Sequence, residues 1–93
     1  MAERTTSKKH DEFVRERMED KAATELAGIG EKGGEQLAAL GFATAKQVLG
    51  QFLVMGEDPD VFGDWLQQNV SKLNSKHRGD LIFCLQEWIK RNL

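Results

Sequence analysis

The sequence predicts an all-α domain built from five helices, and three observations carry that expectation. Apolar residues recur at three- and four-residue spacing, as in Leu81, Leu85, Trp88 and Ile89, the period of a helix with one buried face. Helix-start signals precede several of these runs. The clearest is Asp58-Pro59-Asp60, a capping carboxylate, a proline at the first helical position and a second acid in the first turn. No segment alternates apolar and polar residues long enough to make a strand.

Taken in order, residues 1–6 are polar and expected to be flexible. Thr6 or Ser7 can cap a helix running to about Arg17, with Phe13, Val14 and Met18 on its buried side. Lys8, Lys9 and His10 fall in its first turn, where cations oppose the macrodipole. Either a bound anion or plain solvation answers that. Asp20 is a candidate cap for a short helical turn reaching Leu26. A second helix should span 31–40 with Gly41 at its C′ position. Thr44 can cap a third over 45–55. The fourth starts at Asp58-Pro59, turns Val61, Phe62, Trp65 and Leu66 inward, and ends near Val70. A polar link, 71–74, leads to Ser75 as the cap of the fifth.

The stretch that organises the chain is Leu26-Ala27-Gly28-Ile29-Gly30, followed by Glu31-Lys32-Gly33-Gly34. Gly28 and Gly30 can take positive φ or admit a neighbouring backbone, with Ile29 between them as an apolar pin. The helix that follows aims unpaired N–H groups and its positive dipole end outward, which suits an anion. This pattern resembles the helix-hairpin-helix of proteins that hold DNA by its phosphates. Gly34 takes the slot where that motif wants a small residue for close helix packing. The alternative is a plain glycine turn between two core helices.

Composition narrows the partners. Ninety-three residues, 40% hydrophobic and 30% charged, make one folded domain spanning 1–93. A chain this size buries only about 60–65% of its unfolded surface, which favours help from a second subunit. A net charge of −2 argues against a polybasic DNA binder, so any phosphate contact must be local and geometric. The middle of the chain sets Lys46 alone against Glu35, Glu57, Asp58, Asp60 and Asp64. The end sets Lys72, Lys76, Arg78, Lys90 and Arg91 against Asp80 and Glu87. Lone Cys84 excludes an internal disulfide and fits a reducing compartment. With no signal-peptide pattern and no long apolar run, the expected setting is intracellular.

A wider resemblance covers almost the whole chain. Thr5-Thr6-Ser7-Lys8-Lys9-His10, Phe13-Val14, Leu26 to Gly30, Gly41-Phe42, Leu49-Gly50-Gln51-Phe52-Leu53-Val54, Phe62, Trp65-Leu66, Cys84-Leu85 and Glu87-Trp88 look like the barrier-to-autointegration factor family. The resemblance implies a compact, five-helix, SAM-like domain containing the helix-hairpin-helix. It implies a homodimer that binds and bridges double-stranded DNA without sequence preference, in chromatin organisation and nuclear-envelope assembly. LEM-domain inner nuclear membrane proteins and lamins are the implied partners, and the nucleus, with some cytoplasmic protein, the implied location. Phosphorylation at Thr5, Thr6 and Ser7 by a nuclear kinase is implied as well. The chain departs from the family at Arg17 for a common proline, Gln36 for a basic residue, Lys46 for an aromatic and Gly56-Glu57 for a lysine pair. It also has three extra residues at its start and about one inserted between Val70 and Ser75.

These readings converge on phosphate capture. Lys9, Gly28, Ile29, Gly30, Lys32, Ser75 and Lys76 are the candidate DNA-binding residues, none of which reads a base edge. Gly50 and Val54 lie together outside the main apolar stripe of the third helix. With Gln51, Val61 and Trp65 they form the candidate dimer or partner surface, against chance exposure as the plain alternative. His10 and His77 lack partners at metal-ligand spacing, so no metal or other cofactor is expected. Cys84 lies on an apolar helix face with no base beside it, so no enzyme is expected either. The rival function is a SAM-type protein interaction module that does not bind DNA.

Overall fold

The computed structural model describes residues 7–93. Among these residues there are five helices, α1 Lys8–Arg15, α2 Glu31–Ala39, α3 Ala45–Val54, α4 Pro59–Asn69 and α5 Ser75–Asn92, with a 3₁₀ turn at Ala23–Glu25. Among the described residues there is no strand, only a single antiparallel bridge between Ala22 and Thr44. The all-helical expectation holds. The flexible start expected for 1–6 lies outside the described residues.

Each start follows from a local donor–acceptor match. Ser7 caps α1 by accepting from His10 N at 3.1 Å. Thr44 and Gln47 form a reciprocal capping box on α3, satisfying two otherwise orphaned amides. Asp58 accepts from Asp60 N and Val61 N ahead of Pro59. The expected Ser75 cap is displaced by one residue: Asn74 Oδ1 accepts from His77 N at 2.8 Å, and Ser75 is the first helical residue. Asp20 caps nothing. The 3₁₀ turn begins after Ala22, which has no side-chain cap. Ala23 N and Ala45 N instead bond across the bridge to Ala43 O and Lys21 O, which keeps the chain extended up to the turn.

The fifth helix is the spine, against which α1 and α4 pack. It buries Leu81, Cys84, Leu85 and Trp88, and Trp88 Nε1 donates to Glu16 O at 2.9 Å. That anchor lies just beyond α1, which stops at Arg15 rather than Arg17. Glu16 turns extended, yet Met18 still reaches the core. Across the domain, Phe52 meets Phe62 with ring centroids 5.0 Å apart. Trp65 stacks on Phe62 and makes an edge-to-face contact with Phe42. Val61 is 47% exposed and does not turn inward as its apolar character suggests.

Candidate nucleic-acid interface

The glycine hairpin is built as its residue types require, but its two glycines do different work. Leu26 and Ile29 are fully buried, so Ile29 is the expected pin and presents no side chain outward. Gly28 has φ +83°, and a Cβ there would overlap the His77 carbonyl oxygen and sit 3.1 Å from Leu81 N. The hairpin therefore rests directly on the first turns of α5. Gly30 is extended (φ −93°, ψ −169°) and open: a Cβ there would meet nothing within 4 Å.

Gly30 is the N-cap of α2 and has no side chain to cap it. The first helical bond is Gly34 N to Gly30 O at 2.9 Å, so the amides of Glu31, Lys32 and Gly33 lack intrahelical acceptors. Close packing fixes this end in place. A Cβ on Gly34 would lie 2.5 Å from Thr24 Cγ2, and one on Gly33 would lie 2.8 Å from Leu73 Cδ2. The helix cost of two glycines, about 1 kcal/mol each, comes with close approach of the Leu73 and Thr24 side chains to the α2 backbone.

Lys9 reaches twenty residues along the chain to donate to Ile29 O at 2.6 Å. Burial pushes its ammonium below the usual lysine range, opposed by the nearby Glu25 carboxylate. Ser7, Lys9, Gly28, Ile29, Gly30, His77 and Asp80 line a shallow depression of about 320 Å³. Ser75 and Lys76, both exposed, begin the helix that enters this depression. Lys76 Nζ lies 3.0 Å from Asp80 Oδ2. Lys32 is exposed on α2, 3.9 Å from Glu35. Sequence reasoning misses His77, because only the fold places it under Gly28.

A protein-family model described as barrier to autointegration factor matches residues 4–92. The human protein named barrier-to-autointegration factor is 48% identical over 84 residues, 90% of this chain and 93% of that protein. The Drosophila melanogaster protein of that name is 46% identical over 88 residues, 95% and 97% of the two chains. The zebrafish (Danio rerio) protein is 46% identical over 84 residues, 90% and 92%. The chain belongs to the barrier-to-autointegration factor family.

In this member of the barrier-to-autointegration factor family, the candidate partner surface lies on α3 and α4. Val54 is 82% exposed, and Val61 and Leu53 are exposed as well. Gly50, Gln51 and Trp65 are half-buried, and a Cβ on Gly50 meets nothing within 4 Å. An open glycine beside an exposed valine on one helix face leaves room for close backbone approach. Farther round α3, Arg17, Met18, Lys46, Leu49, Leu53 and Trp88 line a groove of about 640 Å³ that the sequence does not announce. Cys84 is buried, and burial pushes its thiol up to about 11, far from a nucleophile at neutral pH. No helix among the described residues is long and apolar enough to cross a membrane.

Proposed function

We propose that the chain is a non-sequence-specific double-stranded DNA-binding protein, acting as a homodimer that bridges two duplexes. The uncapped N-terminus of α2 carries this reading: it emerges from a hairpin held on one side by Lys9 and on the other by the start of α5. Amide donors at a positive dipole end favour a phosphate oxygen and read no base. Lys9, Lys32, Ser75 and Lys76 supply the surrounding donors. Gly50 and Val54 would face their copies across a two-fold axis, with Gln51, Val61 and Trp65 flanking, and so place two hairpins apart. The family of the chain supports work in chromatin organisation and nuclear-envelope assembly, with LEM-domain proteins and lamins as partners, and a nuclear and partly cytoplasmic location. Its role is binding, not catalysis.

The test is a gel shift on random-sequence duplex at several salt concentrations. About three lysine charges paired with phosphate per subunit give a log–log slope near −3. Gly30→Glu, at an open position, should abolish the shift without unfolding the protein. Absence of binding by the unaltered protein would overturn the reading in favour of a protein-only module.

A further inference from the structure

The short link between α4 and α5 is fastened at every residue. Gln36, on the second turn of α2, takes both sides of it: its Nε2 donates to Ser71 Oγ at 3.0 Å, and its Oε1 accepts from Lys72 N at 2.8 Å. Leu73 is buried against Gly33, its N bonds to Val70 O, and its carbonyl accepts from Arg78 Nη1 at 2.9 Å. Asn74 is spent on the α5 cap. This five-residue link, 70–74, with no glycine or proline, thus lies along the first two turns of α2.

One side chain in this link is left over. Lys72 is exposed, and no ion pair engages it among the described residues. Its neighbour Leu73 touches Gly33, whose amide belongs to the uncapped end of α2. Lys32 stands one turn before Gln36 on the same helix face, as residues four apart do. Lys76 is in the first turn of α5, beyond the link. Lys32 and Lys72 are thus two exposed cations next to Gln36, one along α2 and one across the link, while Lys76 pairs with Asp80 at the depression that Lys9 lines.

We propose that Lys72 is a further phosphate-binding residue, placed by the Gln36 clamp so that the duplex backbone continues from the glycine hairpin along the α4–α5 link. The proposal rests on the DNA-binding reading above. A cation on a fastened backbone loses little further freedom when it pairs, so its contact is stronger than that of a lysine on a loose loop. Gln36 is the positioning residue: it bears no charge and acts only through the backbone of Lys72.

The experiment measures duplex affinity against salt for the full chain, with Lys72→Ala, Gln36→Ala and, as a control for net charge, Lys90→Ala on the last turn of α5. Loss of one phosphate pair reduces the slope by about 0.9 and weakens binding about five-fold at 0.15 M salt. Lys72→Ala should show both changes and melt as the unaltered protein does. Gln36→Ala should weaken binding while keeping the slope, because the charge remains but its placement relaxes. Lys90→Ala should change neither. An unaltered slope in Lys72→Ala, while Gly30→Glu still abolishes binding, overturns this proposal alone. A Lys72→Ala effect together with full binding by Gly30→Glu would detach the link from the hairpin and overturn it too. If the unaltered protein does not shift duplex, the parent reading falls and takes this one with it.

Discussion

The two hairpin glycines predict opposite responses to the same substitution. Gly28→Ala forces a side chain into a left-handed backbone conformation (φ +83°) and drives its methyl into the His77 carbonyl on α5. The conformational part costs roughly 1–2 kcal/mol and the overlap with backbone, which cannot rotate away, roughly 1–3 kcal/mol. The sum is on the order of 3 kcal/mol, a large share of the roughly 5–14 kcal/mol expected for a chain of this length. For a domain this small, that lowers the melting temperature by about 12–24 °C. Gly30→Ala meets nothing within 4 Å, at an extended backbone. Its slightly poorer cap and its lower unfolded-state entropy nearly cancel, leaving a change within about 0.5 kcal/mol, or under about 4 °C. Thermal melts followed by circular dichroism, at one fixed protein concentration, separate the two. A Gly28→Ala melt within a few degrees of the unaltered protein would refute the claim that α5 bears on the hairpin. A practical consequence follows for the DNA assay. A Gly28→Glu substitution would report on folding first, whereas Gly30→Glu reports on the site.

Cys84 ties stability to alkaline pH. Its folded-state value is raised from 9.0 to about 11 by burial, so its contribution is intact below about pH 9 and is lost as pH rises toward 11. The loss is at most about 2–3 kcal/mol; urea midpoints should fall over that window in the unaltered protein and less in Cys84→Ala. At pH 8 a thiol reagent should modify Cys84 only as fast as the protein opens. Ser7→Asp keeps an acceptor for His10 N, so the melt should hold, but the carboxylate sits beside Lys9 and Gly30 in one depression and should weaken duplex binding several-fold. Thr5 and Thr6, the companion phosphorylation candidates, lie outside the described residues. Gly50→Glu has open space within the subunit, so it should yield a folded monomer by sedimentation that no longer joins two differently labelled duplexes, since facing carboxylates near a two-fold axis repel. A Gly50→Glu protein that stays dimeric would move the interface elsewhere.

What is legible in the sequence divides by distance along the chain. Caps and periods are local chemistry, so Ser7, the Thr44–Gln47 box and Asp58-Pro59 mark their helices directly. So do Ile29 as a pin and Gly41, which takes φ +97° just past α2. Features that mislead depend on remote partners. Asp20 looks like a cap because the bridge between Ala22 and Thr44 is invisible until both segments are folded. Val61 looks buried because apolar character does not reveal which arc of α4 meets α5. Lys9 has a partner that the sequence does not show: its ammonium donates to Ile29 O, twenty residues on.

Gln36 shows the same limit with the opposite sign. Against the family it reads as a lost positive charge beside the hairpin, and a lost charge suggests weaker binding. In the fold its amide spans Ser71 and Lys72, thirty-five and thirty-six residues away. A lysine or arginine there could donate to Ser71 but could not accept from Lys72 N, since neither side chain carries an acceptor. The amide does both at once and so holds the link to α2. Position 36 thus exchanges a charge of its own for control over where its neighbour's charge stands.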